Sequence, residues 1–403
     1  MTSSSTTRRN LLLATGALAL QAQPAAHQAG KPAPLGSSRK IRLGIAGGGF
    51  GAGFSFHEHP NCEVTAVTDL RTDRRRKLQE VYKCQTAYES LEQMLSLEKR
   101  LDAVAIFTPP PLHYKHTEMS MKRGLHVYCA VPAVFTLEEA AKLKAIKEST
   151  GLRYMMGETS WYREGCIYAR NVHRAGGFGE LFYSELAYYH DRGDLKELVE
   201  NKKTRFYEPD GSRSWRWGLP PLHYPTHSMG YLVGVTGERI RTVSALGWGN
   251  SHPYVADNVY KNPFFNESAL METDRGHMVR CNVFWLIGED GERAQWYGEK
   301  GTLYMANPGL YGDIHRDRLT KPKALAYPKY LNDPMIPMPM RHESGHGGSH
   351  VFLSAEFINA LVDNREPEID VYQSLAITVP GIVGHQSALK KGERLKVPSF
   401  DKS

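Results

Sequence analysis

Apolar positions along the chain fall into two textures. From Arg39 to Met156, short apolar runs with strand character at 41–46, 63–68, 103–107, 125–129 and 152–156 alternate with helical stretches at 90–98, 113–123 and 137–149. Strand and helix in strict alternation predict an α/β layer, a doubly wound parallel sheet with helices on its faces. After Met156 the runs lengthen and become aromatic: 181–189, 241–248, 277–287, 294–297 and 302–305. That texture predicts an α+β unit, an open and mostly antiparallel sheet with helices on one face. The connections at 190–222, 249–275 and 306–350 read as long loops rich in His, Tyr, Trp, Pro and Gly, and loops of that kind usually carry function. The expected organisation is therefore a leader and linker over 1–38, a parallel-sheet domain over 39–156 and a second domain over 157–403.

The first strand run stops at Gly47-Gly48-Gly49-Phe50-Gly51-Ala52, and the second ends in Asp69, twenty positions after Gly49. Strand, glycine loop and acid at this spacing predict a Rossmann-type βαβ unit that holds a dinucleotide, NAD being the expected cofactor. Gly47 allows the tight turn, Gly49 lets the backbone approach a pyrophosphate, and Ala52 stands where a third glycine usually packs on the strand. A helix N-terminus is expected to follow and face the phosphates. Asp69 can accept hydrogen bonds from a ribose diol. Asp102–Pro110 reads as a central strand ending in a proline turn. Ligands of such sheets bind at the carboxyl ends of strands, which puts Thr108, Pro109 and His113 near the cofactor; a plain helix-start role for His113 remains equally open. Phe50 in the loop and Pro132 after the fifth strand complete the cofactor-side candidates.

Charge and composition change the picture little. The net charge of +7 over 403 residues is scattered, and the run Arg74-Arg75-Arg76-Lys77 lies on a probable helix, so a solvated face is expected and no nucleic-acid partner. Five cysteines without CxxC spacing argue against a disulfide scaffold or zinc ribbon. Thr7-Arg8-Arg9-Asn10-Leu11-Leu12 opens a short apolar run to Leu20. It has the form of a twin-arginine export signal, predicting a periplasmic protein, and is far too short for a stable membrane span.

Together the two halves resemble the Gfo/Idh/MocA oxidoreductases, through the glycine loop, Asp69, Thr108-Pro109-Pro110 with His113, and the change to an open α+β domain. A finer resemblance, to the NAD-dependent glycosidases of glycoside hydrolase family 109, rests on Ala187-Tyr188-Tyr189-His190-Asp191, Leu222-His223-Tyr224-Pro225-Thr226-His227, Gly345-His346-Gly347-Gly348, and Asp370-Val371-Tyr372 with Val397-Pro398. It implies an active site lined by Tyr188, His190, Tyr224 and His227, a sugar or glycoside substrate, and, by analogy, a homo-oligomer. Two departures stand out. Ala130-Val131-Pro132 lacks the lysine of the dehydrogenases' Glu-Lys-Pro and the glutamate of the glycosidases' Glu-Val-Pro. Glu158 is a nearby acid that could substitute.

Pro225 suits the first turn of a helix, so His227 is expected in that turn, held neutral by the dipole and able to act as a general base. Pro225 also separates His223 from His227, and no metal site is expected. The glycines around His346 predict a loop whose backbone contacts a ligand. Three outcomes stay open: a redox glycosidase that recycles its cofactor in place, a plain NAD(P)-dependent sugar or cyclitol dehydrogenase, and a non-catalytic dinucleotide- and sugar-binding protein.

Overall fold

The protein is described here from a computed structural model, which defines residues 38–402 except 191–194, 250–256, 289, 306–312 and 318–322. The twin-arginine segment lies outside the described residues, as does Asp191. Six strands build the first sheet: β1 (Ile41–Ala46), β2 (Cys62–Thr68), β3 (Ala87–Tyr88), β4 (Ala103–Ile106), β5 (His126–Cys129) and β6 (Tyr154–Met156). Their order is β3-β2-β1-β4-β5-β6, all parallel. This is the doubly wound order in which the crevice lies where the chain reverses direction between β1 and β4. Helices α1 (Thr72–Tyr82), α2 (Leu91–Leu97), α3 (His113–Lys122) and α4 (Leu137–Thr150) join these strands. Burial of both sheet faces explains why the strands are nearly continuous apolar runs: Ala103, Val104, Ala105 and Ile106 are all fully buried.

The expected helix between β1 and β2 does not form. Two single 3₁₀ turns, Gly51–Gly53 and Phe56–Glu58, occupy that crossover. A three-residue turn carries no useful macrodipole, so no helix end faces this loop from the β1–β2 crossover. The close packing assigned to Ala52 belongs to Gly51, where an added Cβ would lie 2.6 Å from the Phe107 ring.

The second sheet has nine strands: β7 (Leu181–His190), β8 (Ile240–Trp248), β9 (Asn266–Thr273), β10 (Met278–Phe284), β11 (Asp290–Gly298), β12 (Gly301–Tyr304), β13 (Asp313–Asp317), β14 (Lys323–Leu325) and β15 (Leu395–Lys396). Their order is β14-β13-β12-β11-β7-β10-β9-β8-β15. Only β7 and β10 pair in parallel; the other neighbours are antiparallel. After α5 (Glu164–Arg174) and the short α6 (Leu195–Glu200), helices α7 (Thr226–Thr236) and α9 (Val371–Leu389) cover one face of this sheet, and α8 (Ser349–Val362) packs toward the first domain. The other face leaves Phe182, Leu246, Leu270 and Met278 exposed.

Three stretches assigned to loops contain regular structure: α6 in 190–222, β9 in 249–275, and β13 with β14 in 306–350. β9 escaped its pattern because Glu267 points inward. Its carboxylate is satisfied by His385 Nδ1 at 2.7 Å and the Leu222 N–H at 2.8 Å, so a charged residue occupies what would otherwise be an apolar position.

Candidate active site

Gly47 ends β1 with φ +106°, and an added Cβ would sit 2.4 Å from the Phe107 carbonyl oxygen; only glycine fits there. Asp69, at the end of β2, braces the loop. Its Oδ2 accepts from the Gly48 N–H at 2.7 Å and its Oδ1 from the Arg71 N–H at 2.8 Å. In front of this loop opens a cavity of about 700 Å³ that both domains line. Gly47, Gly49, Phe50, Asp69, Thr108, Pro109 and His113 reach it from the parallel-sheet side, and Tyr188, Tyr224 and His227 from the other. A bare glycine cradle beside a carboxylate fits the diphosphate and ribose of a dinucleotide.

Two candidates stay off the cavity wall. Pro132 lies behind it, and its carbonyl is 2.8 Å from His113 Nδ1, while His113 Nε2 is 2.8 Å from the Thr108 carbonyl. The His113 ring is buried and braces two wall segments, and burial lowers its pKa. His190 stacks on Tyr188 and pairs through Nδ1 with Asp290 at 3.1 Å, which makes it a support for Tyr188.

His227 sits in the first turn of α7, as Pro225 requires. Burial alone would lower its pKa, but the Glu158 carboxylate, 2.9 Å from Nδ1, outweighs that and raises it. The expected downward push of the helix dipole is therefore outweighed: the charge of a carboxylate in contact exceeds the partial charge of a helix end. Glu158 shows the reciprocal shift. Burial raises its pKa, while attraction to and hydrogen bonding from His227, with the Ser160 N–H at 2.7 Å, bring it below the usual glutamate value. Both shifts come from one His227–Glu158 pair, in which each partner favours the charged form of the other. Glu158 is fully buried behind His227 and, unlike Ala130, is not part of the cavity lining. Ala130 and Val131 leave an apolar wall there. With Nδ1 engaged, Nε2 is the His227 nitrogen left for the cavity. Tyr188 and Tyr224 flank the ring, with centroids 4.7 and 5.6 Å away.

Of the lining residues that were not among the candidates, four bear on the chemistry. His346 enters with its side chain, where only a backbone contact was expected, and its ring centroid is 6.4 Å from that of His227. Arg74, Trp215 and Arg216 line the same cavity. Among the described residues, neither guanidinium has a carboxylate within ion-pair distance; Arg216 lies over the Trp215 ring at 4.2 Å. Arg74, whose guanidinium would lie 3.3 Å from a Cβ placed on Gly49, suits a diphosphate. The arginine run had pointed to Arg74 only as solvated surface, and nothing local marked Arg216. His223 faces away, edge-on to His385 at 5.0 Å.

Fold and cavity together define an oxidoreductase of the Gfo/Idh/MocA type. Residues 41–158 match the family model of that name, described as an oxidoreductase family with an NAD-binding Rossmann fold, and residues 326–403 match the glycosyl hydrolase 109 C-terminal domain. A glycosyl hydrolase family 109 protein of Shewanella amazonensis is 32% identical over 90% of this chain and 86% of its own length. Another from Solibacter usitatus is 26% identical over 98% and 97%. The chain belongs to glycosyl hydrolase family 109. Among solved structures, a levoglucosan dehydrogenase in complex with NADH and levoglucosan superposes with a TM-score of 0.72 at 15% identity, covering 90% of this chain and all of that one. A Lactobacillus casei scyllo-inositol dehydrogenase with bound NAD(H) and scyllo-inositol gives 0.66 at 16% identity, over 89% and 99%. At these identities the structures establish likeness of fold.

Proposed function

We propose that this protein oxidises a hydroxyl on a sugar ring transiently and uses the resulting ketone to release a glycosidic substituent, returning the hydride in the same turnover. The observation that carries the reading is the convergence of Tyr188, Tyr224, His227 and His346 on one cavity that opens onto the glycine loop. When bound, NAD supplies the hydride acceptor. The chain's residues supply the rest. His227 Nε2 takes the hydroxyl proton, with Glu158 holding the opposite nitrogen. Tyr188 and Tyr224 orient the sugar hydroxyls. The new ketone acidifies the neighbouring C–H; His346 Nε2 accepts that proton and returns it to the departing oxygen. Water then adds to the unsaturated ring, and the ketone is reduced with the hydride that first left. Arg8-Arg9 supports export after folding, and an exported enzyme gains from a cofactor that is regenerated where it sits.

A plain sugar dehydrogenase is the second reading, kept open by Ala130, which stands where the glycosidases' glutamate would be. The test is an aryl-glycoside panel in deuterated water with no added nucleotide. Repeated turnover without net NADH, and deuterium at the carbon beside the oxidised one, is the expected result. Stoichiometric NADH with the glycosidic bond intact would replace this reading with the second.

A further inference from the structure

The loop before α8 brings a second imidazole behind the one that lines the cavity. His346, Gly347 and Gly348 take φ values of 52°, 64° and 91°. Three successive left-handed residues curl the chain so that His346 stands over His350 in the first turn of α8. His346 Nδ1 is 2.8 Å from His350 Nε2, and His350 Nδ1 is 2.9 Å from the carbonyl oxygen of Gly53. Gly53 belongs to the turn that directly follows the dinucleotide loop.

Donor and acceptor rules leave one assignment for a neutral chain of this kind. A carbonyl oxygen can only accept, so His350 Nδ1 carries a hydrogen. A neutral imidazole has one N–H, so His350 Nε2 is a bare lone pair. It accepts from His346 Nδ1–H, and His346 keeps the lone pair on Nε2. We infer that His350 is a positioning residue that fixes the tautomer of His346, so that the cavity always meets an Nε2 lone pair, and that the Gly53 carbonyl beside the dinucleotide loop sets the direction of the relay.

The surroundings hold the His350 ring to this task. It is 5% exposed, and Phe54 stacks on its face with centroids 4.1 Å apart and planes 12° from parallel. Phe50 meets both imidazoles edge-on, at 5.5 Å for His346 and 5.4 Å for His350. A Cβ at position 345 would lie 2.4 Å from His350 Cε1, which gives Gly345 a physical reason. No carboxylate pairs with His350 among the described residues, and burial lowers its pKa, in keeping with a neutral ring. The contrast with His227, whose partner is a charge, is direct.

The inference uses the proposed function only for its activity arm. The full chain, loaded with NAD and labelled with ¹⁵N-histidine, is examined by long-range proton–nitrogen correlation, with His346→Gln identifying the signal. His346 is expected to carry its hydrogen on Nδ1. Finding it on Nε2 in the unaltered protein would overturn the inference without any variant. His350→Phe keeps an aromatic ring but cannot accept, and should move His346 toward the Nε2–H form. His350→Gln offers an acceptor and a donor and should restore the Nδ1–H form. NAD binding and melting temperature are followed in each variant. An unchanged tautomer in folded His350→Phe would also sink the idea. In the glycoside assay His350→Phe should lose about 10–100-fold in turnover, the usual cost of removing a partner behind a working group, with His350→Gln recovering most of it. If the proposed chemistry fails, the tautomer measurement still decides.

Discussion

His227 and His346 face each other across one cavity, yet they are backed in opposite ways. Behind His227 stands the buried carboxylate of Glu158, a unit charge in contact with Nδ1. Behind His346 stands a neutral ring that ends on a backbone carbonyl. The first backing stabilises imidazolium and raises the pKa. The second passes on only the direction of a hydrogen bond, and His346, desolvated and close to the charges of His227 and Arg163, stays well below the usual histidine value. The same side chain thus becomes a proton store on one wall and a permanent acceptor on the other. What decides is the group one step further from the cavity.

The largest effect should come from His227→Ala, which removes the proposed base outright: turnover should fall about 10²–10⁴-fold, while NAD titration stays unchanged because the glycine loop is untouched. A variant that keeps full turnover would move the base elsewhere, with His346 the next to test.

Glu158→Gln asks whether the charge behind His227 matters. As a base, His227 must be neutral, so its raised pKa predicts kcat/KM rising with pH through a value above 6.5. Without the carboxylate that limb should move to lower pH; a profile that stays in place would separate it from His227. Stability follows the same signs. The raised His227 contributes fully below its unfolded value and loses that contribution as pH rises through the folded one. Glu158, lowered, contributes above its unfolded value and loses it as pH falls. Wild type should exceed Glu158→Gln by about 1–3 kcal/mol near pH 5–6.5, where both partners are charged, and by less above the His227 value, as read from denaturant melts at several pH values.

Phe50→Leu should give the smallest effect. It removes the edge contacts to both His346 and His350 and should cost about 0.5–1.5 kcal/mol of stability. The His227 limb of the pH profile should not move, since Phe50 touches only the neutral side. A shift of that limb would show that the two backings are coupled.

Much of this molecule follows from local pattern. Alternating short strands and helices state a parallel sheet because burial on both faces demands continuous apolar runs. Gly47 and Asp69 state the dinucleotide loop because a positive φ and a carboxylate at the next strand end are chemical necessities at fixed spacing. Pro225 places His227 in a first turn because its ring fixes φ. The tertiary structure alone decided what stands behind each working residue. Glu158 is 69 positions from His227, and Gly53 is 297 from His350. No periodicity spans such distances, and the charge, tautomer and orientation of a side chain are set by its nearest neighbours in space. The same reason hid β9, whose inward Glu267 is acceptable because His385, 118 residues away, and the Leu222 N–H meet it. It also hid Arg216, which reaches the cavity only in the folded chain.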